Sequence, residues 1–518
     1  MLDGVPSSRV SETVVEVLRA MDGETPLRAL RMRFAAAESS ESFLQLVRRF
    51  QASGLLGGEV RPPPGRVVYR PPFTLQFATL RAHVLFDRLA RLIVPVPLRA
   101  ASLALAVLVG SGLLAAAHQA EALHDVLTTP VPLVGFLSLL AALSLLTAVH
   151  ESAHGITLTR FGGRPRRAGF MLFYLSPAFF VDVTDGWRLS DRRQRVAVAL
   201  AGPAVHAAVS ALALIAALML PPSATRQTVL LLAVSCAAIV LINLIPFVRF
   251  DGYIALMCAL DEPNLRGRAI RDGSAALTRV LFGGRRPSKS LDRWWSVPFG
   301  LASLCAPAVL VVLALSRITR ALAGGGAIVG VLVVTLEAAV VLTGLVVLVR
   351  ALRRVLASGV ARVRFVSVIA ATAAGIVIAG VVIPLPVTAT YGFAAQGRTV
   401  VLLQAGDVVE TDMPEGAEVT LMSNGLLANE HVGAGVVTSL RPEPTRVPLD
   451  ALIPIAVEGA SVAAVIVAGV EVSSESASVP PTGQARVRLG TSNLWQTIWE
   501  TAVALPLSSL QSGEVGKE

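Results

Sequence analysis

Charge is scarce in this chain: 15% of its 518 residues are Asp, Glu, Lys or Arg, 54% are hydrophobic, and the mean hydropathy is +0.67. That balance excludes an ordinary soluble enzyme, which carries about 25% charged residues. It indicates an integral membrane protein long enough for a helical bundle plus soluble domains. Cysteine is sparse as well. Cys236, Cys258 and Cys305 lie in or beside apolar segments without paired or metal-type spacing, which excludes a disulfide framework. No cleavable signal peptide is visible, because the first 70 residues are polar and rich in arginine. The formal charge is +10, yet most arginines cluster in short connections between apolar runs, where they act as topology signals. No nucleic-acid partner is expected.

What the chain has in abundance is long apolar runs. Those near 98–117, 131–157, 196–220, 228–250, 296–316, 326–349 and 365–384 can each cross a hydrocarbon core about 30 Å thick, so seven spans are predicted. The connections 158–195 and 251–295 each hold eight basic residues, whereas "HQAEALHDVLTTP" and "PPSATRQ" hold almost none. Only "SRITRALAGGG", with Arg317 and Arg320, runs against the pattern. The positive-inside rule then predicts a multi-pass plasma-membrane protein with a cytoplasmic N-terminus and an extracytoplasmic region after residue 385.

Soluble elements flank the bundle. Residues 1–60 show three apolar stripes: Val14, Val17, Leu18 and Met21; Leu27, Leu30 and Phe34; then Phe43, Leu46, Val47 and Phe50. With Ser11 as one cap, Thr25 as the cap of a second helix whose first turn holds Pro26, and a glycine-rich end, they suggest a winged-helix-like unit. "RPPPGRVVYRPP" (61–72) reads as a stiff linker. Leu80–Ile93 reads as an amphipathic helix, at the membrane surface or in solution. From Tyr391 to about 490, β-branched runs alternate with Gly, Pro and Asp turns, the pattern of a β-rich domain occupying 385–518.

"LLTAVHESAHGITL" (145–158) carries the chemistry. His150 and His154, four apart on a helix, share one face about one turn apart, which suits two imidazoles on a single Zn²⁺. Glu151 stands beside the first, placed to take a proton from a water whose pKa zinc lowers to about 7. A catalytic zinc needs a third protein ligand and one open position. Asp251, in "NLIPFVRFDGY" (243–253), is the candidate: the second and fourth predicted spans both run inward and end near His154 and Asp251. Alone, that Asp-Gly pair would read as a surface turn; the histidines reverse the preference. Asn243 is a substrate-binding candidate, since its amide can hold a scissile carbonyl, although interhelical hydrogen bonding accounts for it equally well. His206, about three turns into the third span, is expected as a buried, hydrogen-bonded histidine rather than a group at the metal.

"HESAHG" followed by "NLIPFVRFDGY" resembles the site-2 protease family of intramembrane zinc metalloproteases. The resemblance implies His150, His154 and Asp251 as ligands, Glu151 as base and a metalloprotease domain over 98–384. Leu244 stands where that family usually has proline, and Pro246 keeps a helix break available. Residues 169–206 resemble a subgroup described as peptide zinc metalloproteases, "AGPAVH" standing where relatives often have A-G-P-x-x-N. "FMLFYLSPAFFVDV" (170–183) is strand-like and offers an edge to which an extended substrate can add; a short re-entrant packing segment is the other reading. Residues 14–58 resemble the PQQ-biosynthesis peptide chaperone-like domain that recognises leader peptides, without most of the strands that normally precede its first helix. "LLQAGDVVETDMPEGAEV" is similar to the barrel-sandwich module of membrane-fusion adaptors. Together these imply a zinc endopeptidase acting on a peptide or membrane-protein substrate, with leader removal from a ribosomally made modified peptide, such as the daptide type, as the sharpest expectation. Lipid and biosynthetic or export proteins are the other expected partners. A regulatory site-2-type protease and a non-catalytic peptide export subunit remain open readings.

Overall fold

The structure, a computed structural model, describes residues 12–52, 65–70, 74–92, 96–173, 176–283, 290–291, 293–322, 327–396, 399–405, 413–440, 442–473 and 479–504. Ser11 and the glycine-rich end at 53–60 lie outside the described residues. The chain opens with α1 (Glu12–Ala20), α2 (Leu27–Phe34) and α3 (Ser40–Ala52), then β1 (Val67–Arg70), β2 (Thr74–Thr79) and α4 (Ala82–Leu92). The central region holds α5 (Leu98–His118), α6 (Ala120–Thr128), β3 (Val131–Pro132), α7 (Leu133–Arg160), β4 (Ala168–Phe173), β5 (Ser176–Val181), α8 (Arg192–Ala217), α9 (Ala224–Asn243), α10 (Asp251–Leu260) and α11 (Leu265–Phe282). Next come α12 (Ser296–Leu322), α13 (Ala327–Ala357) and α14 (Arg362–Val382). Strands β6 (Pro384–Gln396), β7 (Thr399–Ala405), β8 (Glu418–Met422), β9 (His431–Ser439), β10 (Glu443–Pro448), β11 (Ile455–Ala456), β12 (Ser461–Val472) and β13 (Thr482–Asn493) follow, with α15 (Leu494–Trp499) after them. Contacts divide the chain into two compact units: Met1–Gly112 with Ala141–Leu212 and Ala233–Arg268, and Leu113–Leu140 with Ala213–Leu232 and Ala269–Glu518.

Among the described residues, seven helices are long and apolar enough to cross a membrane, namely α5, α7, α8, α9, α12, α13 and α14. Their outward residues include Leu114, Val341 and Val382, each about two-thirds or more exposed. Apolar surface on that scale is costly in water and indifferent in lipid, whose tails are as apolar as leucine. The fourth span is shorter than its apolar run. Helix α9 stops at Asn243, residues 244–250 leave the helix, and α10 restarts at Asp251. Pro246 has no N–H to continue the ladder, and the freed carbonyl of Phe247 accepts Arg266 Nε at 3.0 Å.

In the first unit, Val17, Leu30, Phe43 and Phe50 form one core under α1, α2 and α3. The Thr25 hydroxyl donates to Asp22 at 2.9 Å, so Pro26 rather than Thr25 occupies the cap position of α2. The backbone N–H of Thr25, then its hydroxyl, and the N–H of Glu24 hold the Asp22 carboxyl below the usual range. The hairpin that follows these helices does not stand as an isolated wing. β2 pairs antiparallel with β4, giving a four-stranded sheet in the order β1-β2-β4-β5. Part of the expected linker is therefore strand: "VVYR" is rich in residues that suit a pleated surface. Helix α4 packs Ala82 and Phe86 against Ala168, Ile156 and Val181.

In the second unit, β12, β7, β6, β13, β8 and β9 close on themselves through a β12–β9 pairing, and β10 adds to β12. The inward residues of these strands, among them Phe393, Leu402, Leu421, Val470 and Val487, make the barrel core. The β-rich C-terminal domain read from the alternation is thus a barrel. Trp495 of α15 lies against Gly380 of α14 and donates Nε1–H to the Val377 carbonyl at 3.3 Å.

Candidate metal centre

Helix α7 is built from apolar and small residues without an internal proline, so it runs uninterrupted past residue 150 and sets His150 and His154 on one face. Both are buried. The glycine that follows His154 has a packing reason: a Cβ at Gly155 would lie 2.6 Å from the Phe86 ring, so only glycine lets α4 settle on α7 here. Asp251 arrives from the other side of the unwound segment. A Cβ at Gly252 would lie 2.6 Å from Leu244 Cα, so the Asp-Gly pair is a close backbone approach that folds 244–250 back on the start of α10. At the far end of α10, Asp261 accepts Arg195 Nη2 at 2.6 Å.

The three side chains converge. His150 Nε2 is 3.1 Å and His154 Nε2 is 3.5 Å from Asp251 Oδ2, and the two nitrogens are 3.3 Å apart. His154 Nδ1 lies 2.6 Å from the Val198 carbonyl, which can only accept, so the proton sits on Nδ1 and the Nε2 lone pair points into the triangle. Asp251 Oδ2 is buried without a hydrogen bond of good geometry. Lone pairs turned toward a shared point are what a cation would satisfy. Donors about 2.0–2.1 Å from the centre of a tetrahedron stand about 3.4 Å apart, and the observed edges scatter around that value. His150, His154 and Asp251 are the group that could hold a metal ion among the described residues.

Helix α8 crosses the two imidazoles at Gly202. A Cβ at Gly202 would lie 2.4 Å from His150 Nε2 and 2.5 Å from His154 Nε2, so glycine is required at that crossing. No protein-family model, curated protein or solved structure matches the chain. The site therefore stands on its own geometry.

Glu151 Oε2 accepts the N–H of Val181 at 3.1 Å. β5 is an edge strand of the four-stranded sheet. Asp182 N donates to Arg167 O at 2.7 Å and Arg166 N to Asp182 O at 3.3 Å, so the antiparallel alternation turns the amide groups of Phe179 and Val181 away from β4, toward the open edge. The strand-like segment read in the sequence is thus an edge that meets the glutamate. Asn243 is the last residue of α9 and donates Nδ2–H to the Ile239 carbonyl at 3.0 Å, within its own helix. His206 departs from expectation: it is 2% exposed, its ring centroid lies 5.3 Å from that of His150, and Nδ1 has no hydrogen-bond partner. Gly202 and the Val198 carbonyl were not singled out as site residues. The A-G-P stretch was the available signal for the glycine; a main-chain acceptor leaves none.

Proposed function

We propose that the chain is an intramembrane zinc metalloendopeptidase. The observation that carries this reading is the convergence of His150, His154 and Asp251 to within 3.5 Å, with Glu151 one residue from the first ligand. Two imidazoles and one carboxylate with a fourth position left open are a donor set of catalytic zinc. A bound Zn²⁺ would supply the Lewis acid that acidifies water and polarises a carbonyl. Glu151 takes the proton of the attacking water and returns it to the leaving amine. The Val181 N–H fixes one of its oxygens, leaving the other to carry the proton.

A helical substrate hides its carbonyls, so a transmembrane segment must unwind before it is cut. The open edge of β5 supports an extended substrate pairing as an added strand beside Glu151. Asn243 commits one of its two amide protons to the Ile239 carbonyl, and the other would serve a scissile carbonyl. The arginine-rich connections support a plasma-membrane protein with the metal centre near the cytoplasmic face and the barrel outside. Leader removal from a ribosomally made modified peptide is the substrate class favoured here, supported by the packed helices α1, α2 and α3 ahead of the sheet. Lipid and biosynthetic or export proteins would be its neighbours.

Reconstitution of the full chain in lipid nanodiscs with a candidate precursor peptide tests the reading. Cleavage should require zinc and vanish in Glu151→Gln while zinc stays bound. A Glu151→Gln chain as active as wild type would sink the peptidase. Replacing residues 1–60 by an unrelated helical domain should abolish selection of the leader-bearing peptide, and undiminished selection would remove the leader assignment alone.

A further inference from the structure

A metal-ligating histidine nearly always donates its second ring N–H to an outer acceptor, which fixes the tautomer and strengthens the ligand. His154 satisfies the rule through the Val198 carbonyl at 2.6 Å. His150 does not. Its Nδ1 is buried with no hydrogen-bond partner among the described residues. The imidazole beside it belongs to His206, with ring centroids 5.3 Å apart and planes inclined by 52°. His206 Nδ1 is likewise buried and unpartnered. A buried polar atom left unmatched is costly, and here two such atoms belong to neighbouring rings.

Helix periodicity accounts for the placement. Val198, Gly202 and His206 are spaced by four along α8 and share one face. His150 and His154 are spaced by four along α7. Val198 serves His154, and Gly202 fits against both Nε2 atoms. The next position on the same stripe, His206, falls at His150. One face of α8 thus meets each ligand in turn.

We propose that His206 is the outer partner of His150, resting on the metal-centre reading above. His150 donates Nδ1–H to one water buried between the rings, which passes the hydrogen bond to the unprotonated Nδ1 of His206, and this would hold the His150 Nε2 lone pair toward a bound metal. His206 is a positioning residue: it acts through His150 and needs no contact with substrate.

The test uses the full chain in detergent, with zinc per chain measured after dialysis against graded chelator, and the visible absorption of the cobalt(II)-loaded protein. His206→Phe fills the space without accepting a hydrogen bond, and His206→Asn offers an amide oxygen to the same water. Zinc affinity should fall about 10–100-fold in His206→Phe, with a shifted cobalt band, and recover to within a few-fold of wild type in His206→Asn. Wild-type zinc affinity and cobalt spectrum in His206→Phe, while His150→Ala loses the metal, overturn the assignment alone. A wild-type chain that binds no zinc overturns both this assignment and the metal centre. Zinc binding that depends on His206 in a chain that cuts no peptide upholds the assignment and overturns only the peptidase.

Discussion

Gly202→Ala is the most discriminating change available, because it adds one methyl group at the point where α8 crosses both imidazoles. The added carbon would stand 2.4 Å from His150 Nε2 and 2.5 Å from His154 Nε2, where ordinary contact begins at 3.4 Å. About 1 Å must be found, either by parting α8 from α7 or by swinging the rings. Metal sites keep their ligand distances within about 0.2 Å, so either adjustment spoils the triangle. Overpacking of this kind costs about 1–3 kcal/mol, equivalent to roughly 10–100-fold in zinc affinity if it falls on the bound state. The apoprotein can relieve the clash by swinging the rings, and alanine is favoured over glycine in a helix interior by about 1 kcal/mol, so the loss should fall more on zinc affinity than on the apoprotein melt. Chelator titration of the detergent-solubilised chain reads the affinity, and thermal unfolding of the apoprotein reads the fold. Wild-type zinc affinity in Gly202→Ala would refute the claim that this glycine exists to admit the metal ligands.

Glu151→Gln should lower the cleavage rate by about 10²–10⁴-fold with zinc content unchanged, measured by turnover and metal analysis on one preparation. Asp251→Ala should abolish zinc binding, since it removes the only carboxylate among the three converging side chains, and full occupancy at micromolar zinc would contradict the proposed role. Gly155→Val should displace the buried Phe86 ring, 2.6 Å from the new Cβ, and destabilise the α4–α7 contact by about 1–3 kcal/mol, seen as earlier proteolysis of the segment around α4. Phe393→Ala empties a fully buried position in the barrel and should cost about 3–5 kcal/mol, read as a lower melting temperature; an unchanged melt would mean that the barrel core is not where these strands place it.

The seven long apolar helices and the pairing of His150 with His154 on one helix face were legible because they rest on strong local signals, namely apolar length and i, i+4 spacing. The break before Asp251 was partly legible, since Pro246 announces it, but its extent depends on Gly252 approaching Leu244, which no local pattern shows. Prolines and arginines around "VVYR" give it the look of a linker; β1 is a strand because it pairs with β2, which is itself held by β4 about a hundred residues away in the chain. Nothing local separates His206 from an ordinary core residue, because its nearness to His150 follows from the way α8 crosses α7, a tertiary fact. Thr25 was expected to cap α2, and Asp22 claimed its hydroxyl instead.

The shared sheet has a consequence for how this protein can be shortened. Six positions of β4, Ala168–Phe173, are paired with β2, which lies ahead of α5 in the chain. A truncated form beginning at α5 would strip one side of that strand of its partners and leave its amide groups bare at a place where lipid cannot replace them. The amino-terminal stretch is therefore part of the sheet whose last strand holds Glu151, and a trimmed bundle should lose its shape beside that residue before it loses any span.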